Sequence, residues 1–122
     1  MVDHVRAQLA GLLDLQECRF EYGVLLGHPP QLEPDGTVLA GRGRWDVETV
    51  GLPGEEIALR VFGNGQYYGR FMMRPKPGSR PSLQARLVAV TLADQAGGAL
   101  AAGVPTASAG RKRAEQCLAS AG

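Results

Sequence analysis

With 122 residues the chain has material for one domain and a single core. Its net charge of +1, with 20% charged residues, argues against a protein that grips nucleic acid through a concentrated basic face. No apolar run approaches the roughly 18 residues of a membrane span and no signal peptide is recognisable, so the sequence reads as soluble and cytoplasmic.

Residues 2–15 carry Val2, Val5, Leu9, Leu12 and Leu13 at three- and four-residue steps, with Asp3, Arg6 and Gln8 on the other side. The spacing predicts an amphipathic helix, which Asp3 complements at its positive end and Gly11 weakens. Residues 18–24 alternate, with Cys18, Phe20, Tyr22 and Val24 on one face and Arg19 and Glu21 on the other. That is the pattern of a strand with one buried face. His28-Pro29-Pro30 ends it in extended structure. Residues 31–33 and 37–40 flank Pro34-Asp35-Gly36 and predict a short hairpin. Residues 41–56 have little periodicity and read as the main irregular segment, carrying Trp45, the only tryptophan, beside Arg42, Arg44 and Asp46.

The strongest local signal follows. Two apolar runs, residues 57–62 and 67–73, flank Asn64-Gly65, which predicts a β-hairpin closed by a two-residue turn. Such a turn sets Val61 opposite Tyr68, Leu59 opposite Arg70 and Ile57 opposite Met72. The second face then holds Ala58, Phe62, Tyr67, Phe71 and Met73; a bulge at Gly63 or Gly65 would reassign the faces. Both faces are substantially apolar, so each needs a cover. Beyond a Pro-rich connection, Ser82 is placed to cap a helix over residues 83–102. Its apolar residues spread over more of its circumference than one sheet contact requires. Residues 103–122 read as a small-residue linker and an Arg111-Lys112-Arg113 tail, leaving 1–102 as the domain.

Cys18 and Cys117 belong to no CxxC pair, and His4 and His28 stand at a helix start and in a Pro-rich loop. The sequence thus offers neither metal-ligand spacing nor a disulfide framework. It has no Ser-His-Asp arrangement, paired-carboxylate motif or P-loop; the glycines around Asn64 close a hairpin and precede no helix. The expectation is a protein without catalytic residues, metal or cofactor.

The first helix, the CRFEY strand, the LEPDG turn, GLP, the hairpin end QYYGRFMMRPKPG and SLQARLVAVTLADQAGGAL together resemble a small GAF domain. In particular they resemble the GAF-like module at the cytoplasmic C-terminus of KdpD-like membrane sensor proteins. The resemblance covers residues 2–102. It implies an α+β fold, an antiparallel sheet of five to six strands with the N- and C-terminal helices packed on one face. The ligand pocket of GAF domains lies between the other face and its loops. Residues 41–56 stand where larger GAF domains insert helices and offer no His, and no Cys lies where a bilin attaches. The phospho-acceptor segment, kinase domain and membrane helices of such sensors are absent, so the resemblance implies an excised domain or a truncated relative.

Two functions are expected from this. One is a noncatalytic sensory or regulatory module, a homodimer built from Val2, Val5, Leu9 and Leu12 of the first helix and Leu87, Thr91 and Leu100 of the second. The other is a small-molecule sensor with a pocket between the sheet and residues 41–56, formed by Trp45, Arg44, Phe62, Tyr67 and Phe71. Neither involves nucleic acid or a membrane span in this chain.

Overall fold

The computed structural model of the protein describes residues 2–23, 26–41 and 43–103. Along the chain run α1 (Val2–Leu12), β1 (Leu15–Tyr22), β2 (Gln31–Leu32), β3 (Val38–Ala40), β4 (Gly43–Trp45), α2 (Val47–Val50), β5 (Ile57–Gly63), β6 (Gln66–Pro75) and α3 (Leu83–Ala101). The fold is α+β, with one six-stranded sheet in the order β1-β6-β5-β2-β3-β4. Every neighbouring pair is antiparallel except β2 and β5, which are parallel. The sheet is therefore mixed where a wholly antiparallel one was expected. The reason is the connection after β1, which carries the chain from one edge past β6 and β5, so that β2 enters alongside β5 in the same direction.

The terminal helices pack together on one face, α1 over β1 and α3 over β5. Val2, Val5 and Leu9 from α1 and Ala89, Ala93 and Ala96 from α3 close a core with Leu59, Val61, Phe71 and Met73 of the central hairpin. The first helix ends at Leu12 rather than at residue 15. Asp14 takes a φ of 55° in the left-handed region and turns the chain into β1. Ser79 Oγ donates to the Leu13 carbonyl at 2.7 Å and fastens that turn to the Pro-rich connection. Ser82 caps α3 as expected, accepting from the Ala85 N–H at 3.1 Å.

The Asn64-Gly65 turn also forms, with φ of 52° and 78°, Gly63 opposite Gln66 and Phe62 opposite Tyr67. Beyond it the expected register fails. A bulge between Val61 and Phe62 sets Val61 opposite Gly69, Leu59 opposite Phe71 and Ile57 opposite Met73. One residue of slip exchanges the faces of the second strand. Phe71 and Met73 therefore join the helix-covered core, while Arg70 and Met72 lie with Ala58, Arg60 and Phe62 on the opposite face.

Where α3 crosses β5, the two backbones touch. A Cβ on Gly97 would lie 2.6 Å from the Phe62 carbonyl carbon, and one on Gly63 would lie 2.8 Å from that of Gly97. Gly97 is thus used inside the fold, whereas Gly98 faces open space. The segment expected to be irregular contains β4 and α2, a four-residue helix capped by Asp46 Oδ1, which accepts from the Thr49 N–H at 3.2 Å. Of the expected tail, only Gly103 falls within the described residues.

Candidate functional site

The five residues expected to line one pocket are distributed over both faces of the sheet. Trp45 lies opposite Val38 at the β4 edge of the helix-covered face, 37% exposed, with Nε1 donating to the Gly51 carbonyl at 2.6 Å. It braces the end of α2 and does not reach the central hairpin. Arg44 is exposed opposite Leu39 on the same short strand. Phe71 is fully buried in the core, its ring 4.9 Å from that of Phe20. Only Phe62 and Tyr67 meet, at 5.5 Å between centroids beside the hairpin turn, and Phe62 stays 44% exposed with the Arg60 guanidinium over its ring.

A cavity of about 10 Å³ lies among Leu13, Leu32, Val38, Leu52, Ile57 and Arg86. That is the room of a single water molecule, far below what an amino acid or a nucleotide needs. Arg86 enters from α3, is buried, donates from Nη1 to the Gly36 carbonyl at 2.6 Å and pairs through Nη2 with Glu48 of α2. Its Nε has no partner among the described residues. The side chain holds the 34–37 turn, α2 and α3 together.

On the face away from the helices, alternation in β1, β5 and β6 builds a ladder of arginines and carboxylates. Glu21 accepts from Arg19 Nη2 at 2.9 Å and from Arg70 Nε at 3.0 Å. Arg19 also pairs with Glu56, Arg74 reaches Glu17 at 3.5 Å, and Arg60 reaches Glu33 at 3.6 Å. Arg70 Nη2 donates to the Leu26 carbonyl at 2.9 Å, so the crossing connection is tied down over this face. Burial alone would raise the pKa of Glu21, but the hydrogen bonds from Arg70 and Arg19 outweigh it and hold the carboxyl below its ordinary range. The ladder balances its charges and leaves no concentrated basic patch.

Cys18 sits on β1 under α1, and burial pushes its thiol up to about 12, against the ionisation a nucleophile needs. Cys117 lies outside the described residues. Among the described residues no group of three or more His, Cys, Asp or Glu could hold a metal, and no helix is long and apolar enough to cross a membrane.

The residues expected at a dimer seam divide in two. Val2, Val5 and Leu9 are buried in the chain's own core, and Leu12 and Leu100 are half-buried against it. The α1 half of that seam is therefore already occupied. Leu87 and Thr91 are exposed on α3, in company with Leu83 and Val88. α3 contains only two charged residues, and one of them, Arg86, is buried; Asp94 is the other. The sequence reading missed the whole arginine–carboxylate ladder and the Arg86 clasp. Alternation had placed Arg19 and Glu21 on one face, but their partners come from strands whose order it does not specify. Comparison with protein families, curated proteins and solved structures finds no match to this chain.

Proposed function

We propose that the protein is a noncatalytic, GAF-like sensory or regulatory module derived from a signal-transduction sensor. It works on the cytoplasmic side, as its resemblance implies, and passes its state on by pairing with a second copy through the outer face of α3. The observation that supports this reading is that face itself: Leu83, Leu87, Val88 and Thr91 lie exposed on a helix whose only exposed charge is Asp94. With α1 committed to the core, the contact is α3 against α3. The second expectation, a pocket between the sheet and residues 41–56, has less support, because Trp45 and Phe62 lie on different faces of the sheet. The protonated Cys18 thiol likewise favours a noncatalytic role. Light scattering of the wild type and of Val88→Glu tests the proposal. The wild type should have twice the chain mass and the variant should lose that contact with its melting temperature kept. An oligomeric mass that Val88→Glu leaves unchanged would refute it.

A further inference from the structure

Arg86 carries the most enclosed charge among the described residues, its side chain only 4% exposed. Its donors are used unevenly. Nη1 donates to the Gly36 carbonyl at 2.6 Å, Nη2 donates to one oxygen of Glu48, and Nε has no partner among the described residues. Nε and Nη2 share one edge of the guanidinium and present two parallel N–H bonds, the fork that suits both oxygens of a single carboxylate. Glu48 engages that fork through one oxygen and leaves half of it unused. A buried cationic donor without an acceptor is a standing cost to the fold.

The fork is reached from the Glu48 side. The Glu48 side chain is 68% exposed, so its carboxylate links a buried cation to solvent. It is carried on α2, four residues long, whose ends are held by the Asp46 cap and by the bond from Trp45 Nε1 to the Gly51 carbonyl. A carboxylate free of that tether can turn until both of its oxygens are in place. Arg86 also forms part of the wall of the cavity of about 10 Å³, beside Leu13, Leu32, Val38 and Ile57. That space admits a group the size of water and excludes a long apolar tail.

From this donor pattern we infer that the Nε–Nη2 edge of Arg86 is a binding site for a small carboxylate, of the size of formate or acetate, and that Glu48 is its internal occupant. The entering carboxylate takes the place of Glu48's own and needs no new volume. Glu48 moves fully into the solvent it already faces. The charge on the guanidinium stays balanced, and the unused Nε donor gains an acceptor. A halide brings the charge without two oxygens spaced to match the fork, so carboxylate is preferred over chloride. The site stands whether or not two chains pair through α3.

The test uses the full chain with nitrogen-labelled arginine and follows the Nε–H signal of Arg86 by magnetic resonance, identified by its loss in Arg86→Met. In Glu48→Ala, sodium acetate should move that signal saturably and raise the melting temperature more than sodium chloride at the same ionic strength. In the wild type, where the tethered Glu48 competes at high local concentration, half-saturation should need roughly tenfold more acetate or higher. Glu48→Gln keeps the length of the side chain without its charge, should respond as Glu48→Ala does, and replaces it if the shorter side chain fails to fold. Whether or not either variant folds, the wild-type signal must move with acetate, up to molar concentration, and not with chloride. A signal that acetate leaves in place overturns the proposal, and so does an equal shift with chloride, the mark of an unselective anion site. Equal half-saturation in the wild type and the Glu48 variants overturns the role of Glu48 as the occupant.

Discussion

Gly97 and Gly98 are neighbours on one helix, yet replacing each with alanine should move stability in opposite directions. Alanine is favoured over glycine in a helix interior by about 1 kcal/mol. At Gly98 nothing lies within 4 Å of the added methyl, so Gly98→Ala keeps that gain. At Gly97 the methyl would sit 2.6 Å from the carbonyl carbon of Phe62, against an ordinary carbon–carbon separation of about 3.5–4.0 Å. Relief requires α3 to back away from β5 by about 1 Å, which would part the buried Ala93 and Ala96 from the sheet beneath them. Overpacking costs about 1–3 kcal/mol, and the upper end applies because the obstacle is backbone and not a yielding side chain. Setting about 3 against the propensity gain of about 1, Gly97→Ala should destabilise by about 2 kcal/mol. In a chain of this size the two variants should differ by about 10 °C or more in melting temperature, readable by circular dichroism. A Gly97→Ala protein as stable as the wild type would refute the close crossing of α3 over β5.

Two further predictions concern the ionic groups. Arg86→Met removes the donor to the buried Gly36 carbonyl and should cost about 1–3 kcal/mol in urea unfolding; a smaller loss would mean that the 34–37 turn does not depend on the clasp. Glu21 has a folded pKa below its ordinary 4.5, so its contribution is in place above that pH and is lost as the pH falls through the lower folded value. Glu21→Gln should therefore flatten the acid limb of a urea-midpoint series, and an unchanged slope below pH 4.5 would show that the carboxylate is not coupled to Arg19 and Arg70.

What could be read from the sequence was what is decided within a few residues. Asn64-Gly65 dictates its own turn, Ser82 its own cap, and the alternation from Cys18 to Tyr22 its own strand. The same reasoning failed where a distant segment decides. The bulge between Val61 and Phe62 lies outside what the Asn64-Gly65 signal specifies, and it moved Phe71 from an expected pocket to the core. Trp45 was expected to line a pocket with Phe62, Tyr67 and Phe71, but its strand pairs with β3 and carries it to the far edge. Val2, Val5 and Leu9 have the spacing of a coiled-coil seam, which is also the spacing of a helix lying on a sheet. Periodicity gives the apolar side of a helix and does not say what will cover it.

The pairing of β1 with β6 also sets an order of events. The first strand made during synthesis has its hydrogen-bonding partner in the last, and the Glu21–Arg70 contact spans 49 positions of sequence. The hairpin of β5 and β6, by contrast, closes across a two-residue turn and can form locally. Bringing β1 to it requires closing a long loop before any reward in contacts, the circumstance that slows folding most. A nascent chain that has not yet passed residue 66 therefore carries β1 with no strand to receive it, and an amide-exchange pulse during refolding should find the hairpin protected before the Arg19 and Glu21 amides, which face β6.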